Sequence, residues 1–295
     1  MLPGEIYKSL TDKDFKVLAA IEKGISRGME YVALETIERI SGLHEGEVIL
    51  VLGKLHELGL VRRKTIAGYK AYRLTYIGYD MLAFRALVNK NILEALGNKI
   101  GVGKESEIYI GLAPGGLKVV VKVLRIGRTS FQRTRLLRSW SSNKVSTTWY
   151  EESKLAAERE FKALKTLSSI NALVPVPLGY NRHVIVTEYI EGVELYKRPE
   201  LRKPEQVLEY IIDTISKAYR EAGIVHGDLS EYNIIVTVSD EKPYVIDWPQ
   251  YIYREEPNAL QLLRRDVEYV VRFFNKVYGL NIDHMAIYNR IVSAG

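Results

Sequence analysis

HGDLSEYNIIV at residues 226–236, followed by YVID at residues 244–247, decides the fold of the second half of this chain. IIV and YVI are runs of β-branched and aromatic residues, and the polar SDEKP between them, residues 239–243, is typical of a turn. The pattern predicts a β-hairpin centred on residue 240. Working outward from its tip, the hairpin brings Asn233 opposite Asp247 at its open end.

The open end of this hairpin has the side chains of a magnesium site. An amide oxygen from Asn233 and a carboxylate from Asp247 are hard ligands of the kind that Mg²⁺ binds together with water and substrate phosphates. Asp228 lies five residues before Asn233, where its carboxylate can accept a proton from a hydroxyl group or water. Asp-x-x-x-x-Asn followed by a metal-binding Asp is the layout of phosphoryl transfer, although such residues also occur in ordinary polar hairpins.

Upstream residues supply the other parts that such a reaction needs. GVGKES, residues 101–106, lies between two predicted strands, where backbone N–H groups of Gly103 and Lys104 and the Ser106 hydroxyl can contact phosphate. Lys122 interrupts the apolar strand VVVKVL, and a lysine is rarely buried without a partner. We therefore expect a carboxylate beside it.

Two glutamates on the next predicted helix compete for this place. At about 100° per residue, Glu160 lies near the apolar stripe of that helix and Glu158 far from it, so Glu160 is our choice. The segment TEYIEG, residues 187–192, precedes the helical half of the chain, and its order along the chain predicts a hinge whose backbone at Glu188 and Ile190 holds adenine. His226 is predicted to brace the backbone and not to react.

The first 90 residues predict three helices followed by a small hairpin, the order of a winged helix. A capping box at Thr11 and Asp14 begins the first helix, and Gly42 and Gly59 follow the next two. A long helix is predicted from about Tyr76 to Leu96. The wing carries Arg62, Arg63 and Lys64, which suit contacts with nucleic-acid phosphates, although winged helices also bind proteins.

The formal net charge is +6, and its location is informative. Residues 125–150 contain six basic residues and no acidic residue, whereas the rest of the chain sums to zero. Arg125, Arg128, Arg133, Arg135 and Arg138 lie here. The stretch is either a solvated insertion or, as we prefer, a flexible basic loop that orders against RNA.

Composition excludes several classes of protein. The chain has no cysteine, which excludes disulfides, cysteine-ligated zinc and thiol catalysis. Neither a signal peptide nor an apolar run of about 18 residues is present in the sequence. A soluble cytoplasmic protein is expected, with no membrane partner.

The chain resembles the RIO-type atypical serine/threonine protein kinases, in the winged-helix-bearing branch called RIO kinase two. Five motifs carry the resemblance, in this order: GVGKESEIYIG, VVVKVL, EREFKALKTL, VHGDLSEYNIIV and VIDW. The resemblance covers nearly the whole chain. It implies an α+β fold with a winged helix-turn-helix over residues 1–84, a linker helix over 85–98, a kinase-like N-lobe over 99–190 and a truncated C-lobe over 191–295. Only 48 residues follow Asp247, and without a long acidic tail the chain resembles an archaeal member.

The resemblance also implies roles for residues. By this resemblance, Asp228 is expected to be the catalytic aspartate, and Asn233 and Asp247 are expected to bind Mg²⁺ or Mn²⁺. Lys122, paired with Glu160, is expected to bind ATP phosphates. The family matures the small ribosomal subunit, works largely as an ATPase through a phosphoaspartate, here on Asp247, and autophosphorylates on serine. Expected partners are therefore ATP and the pre-ribosomal small subunit with its RNA, and a monomer is expected.

Two other classes of function share some of these features. Small-molecule kinases of the aminoglycoside-phosphotransferase type have the same H-G-D-x-x-x-x-N motif, but they need a larger helical C-terminal part and do not explain the winged helix. A winged-helix regulator with a degenerate kinase domain is disfavoured because Lys122, Asp228, Asn233 and Asp247 are all retained.

Overall fold

The computed structural model describes residues 2–103, 105–126 and 149–293. Two large hydrophobic cores organise these residues. One is shared by the N-terminal helices and a five-stranded sheet, and the other lies among the C-terminal helices. Within the described part of the chain, no helix combines the length and the apolar character that crossing a membrane requires.

The N-terminal region is a winged helix. Its helices and strands, in order, are α1 (Pro3–Ser9), α2 (Asp12–Ser26), β1 (Val32–Ala33), α3 (Leu34–Ser41), α4 (Glu45–Glu57), β2 (Val61–Ile66) and β3 (Tyr69–Leu74). The strands form one antiparallel sheet in the order β1-β3-β2. The predicted capping box of Thr11 and Asp14 is confirmed, and Gly42 ends α3 with a φ of 68° that suits glycine. The sequence reading missed β1, which is too short for any periodicity.

Helix α5 (Tyr76–Asn89) follows β3 and packs on α2 in the same core, so it is part of the winged helix. It is shorter than predicted, so the linker helix expected over 85–98 is wrong in its second half. Asn91 adopts a left-handed φ of 53°, and Ile92 donates its N–H to the Leu87 carbonyl, which ends the helix. The chain then enters an edge strand at Ala95. Because Ala95 and Leu96 are apolar residues that also suit a helix, the sequence pattern extended the predicted helix to Leu96.

The N-lobe is an antiparallel sheet between two layers of helices. Its strands are β4 (Ala95–Val102), β5 (Ser106–Ala113), β6 (Leu117–Leu124), β7 (Pro177–Asn181) and β8 (Val184–Glu188), in the order β4-β5-β6-β8-β7. Alternate residues of β6 such as Val121 pack in the core shared with the winged helix. The opposite face of the sheet, at Ile185, packs on α6 (Trp149–Ser169).

The C-lobe contains α7 (Pro204–Arg220), α8 (Ala259–Tyr278) and α9 (His284–Ser293). Its strands are β9 (Gly192–Glu194), β10 (Ile224–Val225), β11 (Ile234–Thr237), β12 (Pro243–Val245) and β13 (Ile252–Tyr253). Strands β12, β11 and β9 form one sheet, and β10 pairs with β13. The C-terminal half of α6 packs in this lobe through Leu164 and Leu167, so α6 connects both lobes beside the cleft between them.

Candidate active site

Lys122 lies at the centre of the cleft, on the face of β6 that is turned away from the winged helix. Its Nζ donates to Glu160 Oε1 at 2.8 Å and to Oε2 at 2.9 Å. The Glu160 side chain is only 4% exposed. Of the two competing glutamates, Glu160 is thus the one that contacts Lys122, and Glu158 pairs with Lys162 one turn further along α6.

Asp247 completes this cluster from the C-lobe. Lys122 Nζ lies 2.6 Å from Asp247 Oδ1, and the Asp247 side chain remains 45% exposed. The backbone of Asp247 has a φ of 67°, a strained conformation for a residue other than glycine, and such strain collects at functional sites. Its neighbour Trp248 is buried, and the indole N–H of Trp248 donates to the Val245 carbonyl at 3.1 Å.

The charges of this cluster shift one another. Burial lowers the pKa of Lys122, but the carboxylates of Asp247 and Glu160 outweigh burial and raise it above its ordinary value. Burial also raises the pKa of Asp247. Attraction to Lys122 outweighs burial, so the pKa of Asp247 lies below its usual range. Lys122 is therefore a fixed positive charge beside an ionised, partly open carboxylate.

The hairpin that carries Asn233 and Asp247 forms as predicted, with a register shifted by one position. Ile234 pairs with Val245, and the N–H of Ile246 donates to the Asn233 carbonyl at 2.9 Å. Asn233 therefore lies opposite Ile246, because the turn closes from Thr237 to Lys242 and its centre lies between two residues. Asp247 is the next residue, so the two expected metal ligands remain neighbours at the open end.

Asp228 lies exposed on the loop before the hairpin. The amide nitrogen of Asn233 donates to the Asp228 carbonyl at 2.8 Å, which leaves the Asn233 amide oxygen as the atom suited to a metal. His226 accepts the Asp228 N–H through Nδ1 at 3.3 Å, and its Nε2 contacts the Ile246 carbonyl at 3.0 Å. His226 thus connects the Asp228 loop to the Asp247 segment, as a bracing residue does.

A buried carboxylate that the sequence reading missed holds the same loop. Asp266 on α8 is 1% exposed, and it accepts the N–H groups of Gly227 at 2.7 Å and Leu229 at 3.2 Å. Burial raises the pKa of Asp266 in spite of these hydrogen bonds. The signal for it in the sequence is its helical spacing, because Asp266 falls on the apolar stripe of α8 with Leu263, Val267 and Val270.

The predicted phosphate loop lies between β4 and β5. Gly103 donates its N–H to the Ser106 carbonyl at 2.8 Å, and a Cβ on Gly103 would lie 3.1 Å from the Ser106 hydroxyl oxygen. Glycine therefore allows Ser106 to turn toward this loop. Lys104 lies outside the described residues.

The predicted hinge follows β8. Glu188 exchanges hydrogen bonds with Val176 through its backbone N–H and its side chain, both at 2.9 Å. Tyr189 donates its N–H to the Lys118 carbonyl at 3.3 Å. Ile190 follows, partly exposed, just before β9 begins the C-lobe.

The residues expected to contact RNA fall into three groups. Arg62, Arg63 and Lys64 are exposed on β2 of the wing. Arg128, Arg133, Arg135 and Arg138 lie outside the described residues. Arg125 does not belong with them, because it is 4% exposed and forms ion pairs with Asp80 and Glu107.

The expected loop over 125–150 is likewise wrong at its ends. Arg125 and Ile126 continue the buried end of β6, and Trp149 and Tyr150 form the first turn of α6. Counting charges along the chain could not show that Arg125 is buried.

Comparisons with known proteins agree with this geometry. The model of the RIO domain matches residues 107–287, and the model described as Rio2, N-terminal, matches residues 7–90. The serine/threonine-protein kinase rio2 of Schizosaccharomyces pombe is 36% identical over 91% of this chain and 77% of its own length. The RIO-type serine/threonine-protein kinase Rio2 of Methanocaldococcus jannaschii is 38% identical over 85% of this chain and 92% of its own length.

A solved structure extends the likeness to three dimensions. The crystal structure of the Rio2 kinase–ADP/Mg²⁺–phosphoaspartate complex from Chaetomium thermophilum matches with a TM-score of 0.81 and 30% identity, covering 97% of this chain and 88% of that chain. The winged helix followed by the kinase-like lobes is therefore the architecture of that protein as well. The chain belongs to the RIO family of serine/threonine protein kinases, in its Rio2 branch.

Proposed function

We propose that this kinase binds ATP with Mg²⁺ in the cleft between its lobes and turns it over slowly. The observation that carries the proposal is the contact of Lys122 with both Glu160 and Asp247, at 2.8 Å and 2.6 Å. This contact gathers a fixed cation and a partly open carboxylate from two lobes at one point, which phosphoryl transfer requires. The related Chaetomium protein was crystallised with ADP and Mg²⁺.

The residues divide the work as follows. Lys122, held by Glu160, binds ATP phosphates, and the loop of Gly103, Lys104 and Ser106 covers them. The backbone near Glu188 and Ile190 holds adenine. The set supplies lysine ammonium groups, a hydroxyl group and backbone N–H donors, all of which suit a phosphate chain.

Asn233 and Asp247 hold the metal ion. Both residues lie at the open end of the hairpin and carry oxygen ligands of the hard type, and the Asp247 side chain is partly exposed to solvent. These residues fit Mg²⁺ or Mn²⁺, which neutralises phosphate charge when bound. Asp228 accepts the proton of the attacking hydroxyl group or water.

We further propose a covalent intermediate on Asp247, by analogy with the phosphoaspartate in the related complex. A carboxylate oxygen of Asp247 bonds to the γ-phosphorus while the bond from that phosphorus to the β–γ bridging oxygen breaks, and ADP leaves. Water then hydrolyses the acyl phosphate, which regenerates the carboxylate and releases phosphate. Transfer to a serine hydroxyl of the same chain gives autophosphorylation.

Replacement of Asp247 tests the assignment most directly. Asp247→Ala should abolish ATP turnover and acid-stable, hydroxylamine-sensitive labelling by γ-labelled ATP, because metal ligand and acceptor are both lost. Asp240→Asn, in the exposed turn of the same hairpin, is the matched control and should turn over ATP like the wild type. Undiminished hydrolysis by Asp247→Ala contradicts the site.

In the cell, we propose that the protein assists maturation of the small ribosomal subunit in the cytoplasm, as a monomer that contacts ribosomal RNA. The exposed wing residues Arg62, Arg63 and Lys64 support a phosphate-binding surface, and Arg128, Arg133, Arg135 and Arg138 are proposed to extend it.

Purification of the protein from its native cells tests this role, and immature small-subunit particles should be recovered with it. Reversing the three wing charges to Glu should weaken binding to small-subunit RNA and flatten its salt dependence, whereas Lys23→Glu on α2 should not. An unchanged salt slope in the wing variant excludes the wing from the contact.

A further inference from the structure

The winged helix contacts both elements that carry the Lys122–Glu160 pair. Lys122 lies on β6 and Glu160 on α6, and the chain joins these two elements through residues 127–148. The end of β6 and the beginning of α6 both lie against helices of the winged helix. At both contacts the winged helix forms side-chain hydrogen bonds and ion pairs, which fix direction as well as distance, in addition to apolar packing.

The end of β6 is held by Asp80 of α5. The Arg125 guanidinium donates to both carboxylate oxygens of Asp80, at 2.7 Å and 2.5 Å, and to Glu107 at 3.0 Å. His183 approaches the same carboxylate to 2.8 Å. A bidentate pair of this kind fixes direction as well as distance. Arg125 follows Lys122 by three residues, so this pair fixes the strand on which Lys122 lies.

The beginning of α6 is held by Glu22 of α2. The Tyr150 hydroxyl donates to Glu22 at 2.7 Å, and Arg182 donates to both oxygens of Glu22, at 2.8 Å and 2.6 Å. The Tyr150 ring stacks on Tyr79 of α5 with centroids 3.8 Å apart. Trp149 lies against Tyr76 at the same centroid distance. The first turn of α6 is thus fixed in position and in rotation about its axis.

These two attachments are joined directly. The N–H of Ile126 donates to the hydroxyl of Ser153 at 3.0 Å, and Ser153 is fully buried. Glu160 lies two turns further along α6, about 10 Å from Ser153 at 1.5 Å per residue. On the far side, Arg159 donates to the carbonyls of Pro249 and Tyr251 in the C-lobe. Helix α6 is therefore fixed to the winged helix at its start and to the C-lobe beside Glu160.

We propose that the winged helix is a positioning element of the active site, acting through Glu22 on α6 and through Asp80 on β6 to set the Lys122–Glu160 geometry. This inference rests on the proposed function of that pair. Displacement of a charged group by about 1 Å can cost as much as 100-fold in rate. Loss of the hydrogen bonds to Glu22 should therefore lower the rate of ATP turnover, although Glu22 lies in a different domain.

The experiment compares Glu22→Gln and Tyr150→Phe with Asp12→Asn. Asp12 lies on the same helix as Glu22 but its ion pair with Arg85 is at the surface, with Asp12 80% exposed. We expect Glu22→Gln to lower kcat for ATP about tenfold with a smaller change in KM, Tyr150→Phe to show a smaller loss in kcat, and Asp12→Asn to match the wild type. All are measured well below their melting temperatures.

Two further measurements separate positioning from general stability. In a Glu160→Gln background, Glu22→Gln should cause no additional loss of kcat, because residues that act through one another are not additive. Amide exchange over residues 156–163 of α6 should be faster in Glu22→Gln than in Asp12→Asn, a readout that needs no activity. Unchanged kcat and exchange in both Glu22→Gln and Tyr150→Phe, or additive losses in the double variant, overturn the inference. Absence of turnover in the wild type overturns the proposed function instead.

Discussion

Two clusters in this protein have nearly the same composition and opposite characters. In the cleft, Lys122 lies between Glu160 and Asp247, and Asp247 is 45% exposed. Between the winged helix and the sheet, Arg125 lies between Asp80 and Glu107, whose side chains are 5% and 12% exposed. Each is a cation with two carboxylates on elements far apart in sequence, but only the first is open to solvent.

The identity of the cation accounts for much of this difference. The planar fork of arginine binds a carboxylate with two parallel hydrogen bonds, as Arg125 does with Asp80, and such a pair is suited to a permanent contact. The ammonium group of Lys122 is a compact charge with rotatable donors, so it can exchange a carboxylate for a phosphate. Exposure to solvent and a compact cation therefore distinguish the cluster that is proposed to act on ATP, whereas the buried cluster joins the winged helix to the sheet.

The largest expected effect is a loss of stability when the buried cluster of Arg125, Asp80 and Glu107, the closed cluster, loses one carboxylate. Asp80→Ala leaves the guanidinium of Arg125 buried with a single carboxylate, and breaking a buried pair costs about 3–5 kcal/mol of unfolding free energy. Urea unfolding monitored by circular dichroism measures it. Asp12→Ala, at the surface pair with Arg85, is the control and should cost much less. Equal losses in the two variants would show that the buried pair contributes no more to stability than the surface pair.

In the open cluster, we expect loss of activity with little loss of stability. Lys122→Arg keeps the charge but changes its shape, and turnover should fall about 100-fold, or about 2.7 kcal/mol in activation free energy. Steady-state ATP hydrolysis and a thermal melt of the same sample measure both quantities. A variant that melts far earlier than the wild type, or one that retains its turnover, shows that the two clusters do not differ as proposed.

The closed cluster also predicts a dependence of stability on pH. Burial lowers the pKa of His183 and outweighs the attraction of Asp80, so the folded protein keeps this ring neutral where the unfolded chain takes up a proton. The stability that His183 contributes should fall as the pH drops below about 6.5, by at most about 1.4 kcal/mol per pH unit, until the folded ring is itself protonated.

Comparison of the wild type with His183→Gln isolates this contribution from the carboxylates that titrate at lower pH. The difference in unfolding free energy between the two proteins should shrink from pH 7.5 to pH 5. A constant difference across that range means that His183 binds protons equally in the folded and unfolded states.

The smallest effect is expected from replacing Glu158, the glutamate of α6 that does not contact Lys122. Glu158 pairs with Lys162 at the surface of α6, so Glu158→Gln should change neither turnover nor melting temperature measurably. Glu160→Gln, two residues away on the same helix, should lower turnover strongly. Similar losses in both variants would mean that the helix and not the ion pair is responsible.

Much of the site is local in the sequence and was predictable from it. Asp228, Asn233 and Asp247 lie within 20 residues, and a hairpin brings them together by a rule that depends only on strand pairing. Helical periodicity selected Glu160 over Glu158, and a lone lysine in an apolar strand marked Lys122. The register was wrong by one residue because the type of turn, and not the strands, sets the centre of a hairpin.

The residues that the sequence did not mark act across domains. Asp80, Arg125 and His183 are separated by 45 and 58 residues and meet only when the winged helix packs on the sheet. Nothing in the local pattern around Arg125 marks it as an arginine that will be buried. The same holds for Arg159, whose partners Pro249 and Tyr251 belong to the other lobe.

By itself, then, the sequence determined the winged helix, the kinase-like lobes and the identities of the residues proposed to act on ATP, because short-range periodicity and motif spacing encode them. Only the tertiary structure decided that one cation–carboxylate cluster is closed and the other open, and that α6 is fixed to both the winged helix and the C-lobe. Burial and ion pairing depend on which surfaces meet, and that is a property of the packed chain and not of any segment of it.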